Sequence, residues 1–283
     1  MILIIDSGTT KTQWVLLDGS RIMEDTETIG FNPYYTPAGS IRESIANGLT
    51  ENIINGEVKH IYFYGTGCST KENCMLVNTI LKGFFPNAAI ETHHDLYGAA
   101  VALLKNREGI ASILGTGSNS CLWNGQKIVE AVPSLGWLMG DEGSATHLGI
   151  IMLQAFLGGK MPKEITGAFY HYTGLNFEGI LHKVYSENEP NRWISGLSPF
   201  ASANIEKPEI RHLVKQNFLD FLSAQIKRYT GYREKEISFV GSVAWHFKDV
   251  LSEVLREEKL HAGIILQRPM DGLIEFHSSS SQD

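Results

Sequence analysis

Cysteine is scarce in this chain, with three among 283 residues. Cys68, Cys74 and Cys121 form no C-x-x-C pair, which argues against the usual zinc and dithiol arrangements and against a disulfide-stapled fold. They read as reduced thiols filling buried or half-buried space. No run reaches the roughly 18 apolar residues a membrane helix needs. No long basic cluster occurs either, and the net charge of −7 argues against a nucleic-acid surface. An anionic ligand must therefore be held by local groups. The apolar first residues lack a basic stretch before them, Asp6 interrupts them, and no small-residue cleavage site follows. They read as a strand rather than a secretory leader, and a cytoplasmic protein is expected. Of ten histidines only His93 and His94 are close neighbours, and no H-E-x-x-H occurs. The P-loop pattern G-x-x-x-x-G-K-S/T and the dinucleotide turn G-x-G-x-x-G are also missing.

What is present is a repeated strand-turn-strand unit. The apolar segment before Asp6 breaks into Ser7-Gly8-Thr9-Thr10-Lys11-Thr12 and resumes as a strand through Leu17. Gly8 can take positive φ and leaves room for backbone N–H groups to point at an anion. Thr9, Thr10 and Thr12 add hydroxyls, and Asp6 is placed to hold a hydrated magnesium ion. A plain hairpin with a threonine-rich turn would look the same. About a hundred residues later Ile110–Leu114 leads into Gly115-Thr116-Gly117-Ser118-Asn119-Ser120, and Cys121-Leu122-Trp123 resumes a strand. Asp18-Gly19 closes the first copy and Asn124-Gly125 the second, both dipeptides that favour type I′ turns. Two such units suggest a duplicated architecture.

Length fits about two domains with sizeable cores. Ser40-Ile41-Arg42-Glu43 predicts a helix opened by a capping box, with Ile41, Ile45, Leu49 and Ile53 on its buried face. Ile61–Tyr64 reads as a strand running into a third glycine-hydroxyl turn, Gly65-Thr66-Gly67, and a helix is expected from about Thr70 to Lys82. A strand over 90–93 ends at Asp95, before a helix from Leu96 to Lys105. The first half thus reads β-β-α-β-α-β-α, and the turn over 106–109 is the candidate boundary. In the second half, Gly136-Trp137 and Gly140-Asp141-Glu142-Gly143-Ser144 precede a helix with Leu148, Ile151, Met152 and Ala155 on one face, ending at Gly158-Gly159. Helical sequence dominates from about 160 to 235. A strand over 237–240 then leads into Gly241-Ser242-Val243-Ala244, a helix over 245–257 and a strand over 262–266. The serine-rich tail from Ser278 is expected to be mobile.

This ordered set of motifs resembles the N-acetylglucosamine kinase family, part of the BadF/BadG-type ATPase group within the superfamily of actin, hexokinase and the large heat-shock chaperones. The match in order and spacing runs over nearly the whole chain. At the first turn it departs from the family, with Asp-Ser-Gly-Thr in place of Asp-Gly-Gly-Gly. The resemblance implies an α/β fold of two duplicated ribonuclease H-like (actin-like ATPase) domains. The first would hold residues 1–108 and the tail from about Arg268 to 283, the second residues 109–267. ATP and a sugar would meet between them, on a hinge that closes over substrate and excludes water. Gly8, Thr9, Thr10, Lys11 and Thr12, with Gly115, Thr116, Gly117 and Ser118, would hold the phosphates, and Gly241 with Ser242 would pack under the adenosine. Asp6 would bind Mg2+, and Asp95 would take the proton of the accepting hydroxyl. Asp95 could instead simply cap the following helix. Asn32, Gly67, Asn119, Gly136, Trp137 and Asp141 would line the sugar site, although Asn32 also suits an ordinary turn and Trp137 a core position.

The activity so implied is phosphorylation of an amino sugar, N-acetylglucosamine first, at its 6-hydroxyl. The partner would be this small molecule, without nucleic acid or membrane, and a homodimer is compatible with the family. Two rival readings are an ATPase that activates a radical dehydratase through a shared iron-sulfur cluster and a nucleotide- or sugar-binding sensor without turnover. The first needs cysteines suitably placed for a cluster, and the second would be eliminated by ATP consumption that depends on an amino sugar.

Overall fold

The computed structural model describes residues 1–8, 11–34, 36–54 and 56–279. Thr9 and Thr10 of the first turn lie outside them. The chain divides into two compact units. One comprises Met1–Asn106 and the C-terminal segment from Arg268, the other Arg107–Gln267.

The first unit is built on β1 (Ile2–Ser7), β2 (Lys11–Asp18), β3 (Arg21–Ile29), β4 (His60–Gly65) and β5 (Ala89–His94), in the sheet order β3-β2-β1-β4-β5. β1 pairs antiparallel with β2 and parallel with β4. As an inner strand it is covered on both faces, which is why Leu3, Ile4 and Ile5 are all buried and the sequence there is a continuous apolar run rather than an alternation. The second unit repeats the plan with β6 (Glu108–Leu114), β7 (Ser118–Asn124), β8 (Ile128–Ala131), β9 (Glu236–Val240) and β10 (His261–Leu266), ordered β10-β9-β6-β7-β8. Numbered within its own unit, each sheet runs 3-2-1-4-5, with strands 1 to 3 antiparallel and 1, 4 and 5 parallel. This is the duplicated ribonuclease H-like, actin-like ATPase architecture.

Four local expectations are corrected. The first half contains β3, which the element order β-β-α-β-α-β-α omits. β3 is an edge strand whose residues are exposed or half-buried, so it needs no apolar face to announce it. The helix expected at Ser40 spans Ala38–Gly48, its N-cap is Pro37, and no side chain caps it. Ser40 therefore lies inside the first turn and makes no capping box. Ile41, Ile45, Leu49 and Ile53 are buried as expected, but the helix breaks and a short one, Glu51–Ile54, carries the last of them. Both hairpins form after Asp18 and Asn124, yet only Gly19 (φ 59°) and Gly125 (φ 91°) take positive φ there, not Ser20 or Gln126. A type I′ turn needs both central residues in that region. The helix expected over 245–257 is two, Ser242–His246 and Lys248–Glu257.

The C-terminal segment forms the helix Pro269–Ser279. Gly272 lets it approach the helix Asp95–Leu104 closely, since a Cβ there would lie 2.8 Å from the Ala102 carbonyl carbon. His277 Nε2 and Tyr64 Oη share a buried 2.8 Å hydrogen bond. Burial, then the neighbouring His93, pushes His277 down to about 4, so a neutral ring faces the tyrosine at neutral pH. Ser278 and Ser279 belong to this helix, and the remaining tail residues lie outside the described ones.

Candidate functional site

In the first unit the turn after β1 is tied at its base. Gly8 N–H donates to the Lys11 carbonyl at 2.9 Å, and Ser7 Oγ bonds Thr12 Oγ1 at 2.8 Å in a buried pair. Ser7 Oγ also reaches the Phe31 carbonyl at 3.3 Å. The Thr12 hydroxyl thus braces the turn from inside. Lys11 is half-exposed, and its Nζ lies 2.6 Å from Glu27 Oε1.

The sheet register places Glu27, Gln13, Asp6, Tyr64 and His93 in one row across β3, β2, β1, β4 and β5. Directly opposed residues share a face, so Asp6 projects on the face that carries the C-terminal helix, to which Tyr64 is bonded. Burial, then the charge of Asp95, raises the Asp6 carboxyl from 3.8 to about 7, against the opposing pull of Lys11. The folded state therefore holds this proton more tightly than the unfolded chain does. Stability should fall as pH rises from about 4 to about 7, through the interval between those two values. Asp6→Asn should abolish that decline in thermal melts taken across this range in the absence of divalent cation. Identical pH profiles for the two proteins would contradict the assignment.

Asp95 opens the helix Asp95–Leu104, but His94 is its N-cap, accepting from Leu96 N–H through Nδ1 at 3.2 Å. The capping alternative for Asp95 is thereby removed. His94 Nδ1 also lies 2.9 Å from Asp95 Oδ1. A neutral ring that accepts from Leu96 has no proton on Nδ1 to donate, a protonated ring donates to Asp95 Oδ1, and that buried oxygen has no other hydrogen-bond partner. Burial lowers the His94 pKa, but the Asp95 hydrogen bond and charge outweigh it and the net shift is upward. A carboxylate whose buried oxygen meets only a histidine ring keeps acceptor capacity for a proton-taking role.

Asn32 and Gly67 are brought together. Gly67 has φ +80°, and a Cβ there would meet Asn32 Oδ1 and lie 2.9 Å from both Asn32 Cγ and Pro33 Cδ. Asn32 Oδ1 accepts from Tyr34 N–H at 3.0 Å, so this residue does build the turn its sequence suggests, leaving its amide nitrogen as the group to offer a ligand. Cys68 follows Gly67 and is buried. Burial, with Cys74 and Asp95 nearby, pushes its thiol up to about 12. Cys121 is likewise buried and pushed up to about 12. All three cysteines are free thiols.

In the second unit the turn between β6 and β7 is pinned from behind. Ala145 N–H donates to the Gly115 carbonyl at 2.9 Å and Thr146 N–H to the Thr116 carbonyl at 3.3 Å, with Thr146 Oγ1 adding a bond of 2.7 Å. The first turn of the helix Ala145–Leu157 thus spends its free donors on the carbonyls of this loop. Among the described residues the amides of Thr116 and Gly117 donate no hydrogen bond, and Ser118 Oγ is buried without a partner. Gly115 N–H donates to the Gly117 carbonyl at 3.0 Å, so the free donors of this loop are the Thr116 and Gly117 amides, groups that can donate to an anion. Gly241 adjoins it with φ +123°. A Cβ there would strike the Leu114 carbonyl oxygen and lie 2.8 Å from its carbon and 3.2 Å from Gly115 N. Ser242 is exposed and helps line a cavity of about 450 Å³ with Ser198, Ser202, Val243, His246 and Phe247.

Asp141 belongs to the same cluster. It has φ 56°, a left-handed conformation that Asp tolerates. Its Oδ2 would lie 2.9 Å from a Cβ on Gly117, and Ser134 Oγ donates to its Oδ1 at 3.3 Å. Burial raises its pKa, opposed by the Ser118 backbone N–H and the Ser134 hydroxyl. Ser144 is the helix N-cap, accepting from His147 N–H at 3.1 Å. Asn119 Oδ1 accepts from Ser120 N–H at 2.9 Å. Gly136 has φ +72°, and Trp137 is partly buried against the core of this unit.

Sequence reasoning did not find Glu27, His94 or Ser134. Glu27 lies on the overlooked edge strand, and histidine is an uncommon N-cap. Among the described residues no group of three or more His, Cys, Asp or Glu side chains could hold a metal ion, and no helix is long and apolar enough to cross a membrane.

No family model and no curated protein matches the chain. Among solved structures, 99% of the chain aligns with all of a "Putative N-acetylglucosamine Kinase" from Porphyromonas gingivalis at 37% identity and a TM-score of 0.93. A protein of the same name from Chromobacterium violaceum aligns over 97% of this chain and 98% of its own, at 16% identity and TM-score 0.71. A non-polymerising mutant of MamK bound to AMPPNP aligns over 100% and 98%, at 11% identity and TM-score 0.50. The last two share the fold. Full-length similarity to the first, joined to the duplicated sheets and the motif-bearing turns, places the chain in the N-acetylglucosamine kinase family.

Proposed function

We propose that the protein is an ATP-dependent kinase that transfers the γ-phosphoryl group to the 6-hydroxyl of an N-acetylated amino sugar, with N-acetylglucosamine as first substrate. The observation that carries this reading is Asp95, whose buried Oδ1 meets only the His94 ring at a strand-to-helix junction, in a chain whose full-length relative bears a sugar-kinase name. Asp95 takes the hydroxyl proton as the sugar oxygen attacks phosphorus. Phosphoryl transfer needs little covalent help from protein, so most of the remaining machinery positions groups and stabilises charge.

The free amides of Thr116 and Gly117, the Ser118 hydroxyl, Gly115, the Gly8 turn and Lys11 hold the phosphates. Thr9 and Thr10 are assigned to the phosphates with them. Thr12 serves the Gly8 turn indirectly through Ser7. The cavity beside Ser242 seats the nucleoside. Asn32, Asn119 and Asp141 orient the sugar, with Gly67, Gly136 and Trp137 shaping the wall. A bound magnesium ion would neutralise charge on the phosphates. Asp6 would hold it as one carboxylate among phosphate oxygens and water, the usual setting of a magnesium ion on a nucleotide.

The test is ADP release by the full chain with ATP and Mg2+ against a panel of hexoses and N-acetylhexosamines. Turnover is expected with N-acetylglucosamine and is expected to vanish with its 6-deoxy analogue. Silence across the whole panel would overturn the kinase reading, and turnover of the 6-deoxy sugar would overturn the site of transfer.

A further inference from the structure

Glu27 gathers two cations from opposite ends of the chain. Lys11 Nζ lies 2.6 Å from its Oε1, and an Arg268 guanidinium nitrogen lies 3.7 Å from the same oxygen. The Lys11 hydrogen bond, followed by the charges of Lys11 and Arg268, holds the Glu27 carboxyl below its ordinary range despite partial desolvation. One Glu27 carboxylate thus faces two cations near the Gly8 turn, in a chain whose net charge is −7. Lys11 also anchors that turn, because its carbonyl accepts the Gly8 N–H.

We propose that Arg268 is a second phosphate-binding cation of the nucleotide site, held in register beside Lys11 by Glu27. The inference rests on the kinase reading. Arg268 sits at the point where the C-terminal segment rejoins the first unit, immediately before the helix Pro269–Ser279. Its side chain is half exposed, as is that of Lys11, so an incoming oxyanion can reach both. The two contacts to Glu27 differ in kind. The lysine makes a close charge-assisted bond, whereas the arginine stands at the outer limit of pairing and keeps most of its five-donor fork for another acceptor. A planar fork of that kind matches phosphate oxygens in pairs, which a lysine cannot do. Glu27 then has a positioning role. It keeps two like charges from separating while the site is empty, and the polyphosphate replaces its pull when bound. In this scheme the return of the C-terminal segment contributes to ligand binding as well as to packing.

The experiment is calorimetric binding of ATP, AMP and inorganic tripolyphosphate to the full-length protein and to Arg268→Gln, Arg268→Lys and Glu27→Gln, with melting temperatures recorded alongside. Arg268→Gln should weaken ATP and tripolyphosphate by about tenfold or more, the loss of one charge-assisted hydrogen bond. AMP affinity and melting temperature should remain near wild type. Arg268→Lys should recover part of the loss and bind with the same salt dependence as wild type, since charge is kept and only the fork is lost. Glu27→Gln should shift tripolyphosphate affinity while leaving AMP unchanged. If Arg268→Gln binds ATP as tightly as wild type, or loses AMP and ATP equally, the proposal is overturned. If Arg268→Gln fails to fold, Arg268→Lys and Glu27→Gln decide by the same ATP-against-AMP comparison. A wild-type protein that binds no nucleotide would overturn the kinase reading itself, which separates that failure from this one.

Discussion

Asp95→Asn is expected to leave the fold intact and to cut phosphoryl transfer by about 10²–10⁴-fold, the usual contribution of a positioned general base. The fold should survive because His94, not Asp95, caps the helix Asp95–Leu104, and because asparagine matches aspartate in size. What remains at stake in stability is the contact with His94 and a favourable acidic charge in the first helical turn, the latter worth roughly 0.3–1 kcal/mol. Removing this carboxylate also removes one of the charges that raises Asp6, so the midpoint of the Asp6-linked stability change should move to lower pH. Steady-state kinetics at saturating ATP and sugar, with a thermal melt of the same sample, separates the two effects. Near-normal kcat in the variant would end the assignment of Asp95 as base.

Gly241→Ala should damage both the stability of the second unit and its phosphate loop. The residue sits at φ +123°, where an L side chain is strained by about 1–3 kcal/mol. The new Cβ would also run into the Leu114 carbonyl oxygen, backbone that cannot rotate away. Leu114 immediately precedes the Gly115 turn, so the collision pushes on the loop whose Thr116 and Gly117 amides are free for an anion. A drop in melting temperature of roughly 5–10 °C is expected from a few kcal/mol in a domain of this size, with ATP affinity falling further than the stability loss explains. A variant that melts and binds ATP like wild type would show that this close approach is dispensable.

The parts of the fold that were legible in the sequence are those where the chain must do something sterically special or bury a face. The turns at Gly8 and Gly115 announced themselves through glycines and hydroxyl residues between apolar strands, and their repetition disclosed the duplicated sheets. Ser144 and Thr70 were readable as helix starts because a short oxygen-bearing side chain there accepts an orphan N–H, as both do. β3 escaped because an edge strand exposed along its length carries Glu24, Asp25 and Glu27 where an inner strand would carry apolar residues. The capping box at Ser40 misled because the right spacing of Ser and Glu occurs inside a helix that Pro37 had already opened. His94 was invisible as a cap since its Nδ1 plays a part normally taken by Ser, Thr, Asn or Asp.

The candidate site divides in the same way. Gly117 with Asp141, Gly67 with Asn32, and Gly241 with Leu114 are pairs in which a glycine makes room for the partner, and the glycines were conspicuous while the partnerships were not. Long-range electrostatics was the least legible element. No local pattern joins Arg268 to Glu27 or ties the Asp6 carboxyl to Asp95. Those links exist only once the sheet register and the return of the C-terminal segment bring distant residues to one face.

The most direct measurement is product analysis by 31P and 1H NMR after incubating the purified full-length chain with ATP, Mg2+ and N-acetylglucosamine. One ADP is expected for each sugar phosphate formed, with phosphorus coupled to the C6 protons. ADP released without any sugar phosphate, or unchanged ATP with this sugar and with every other amino sugar supplied, would contradict the kinase reading.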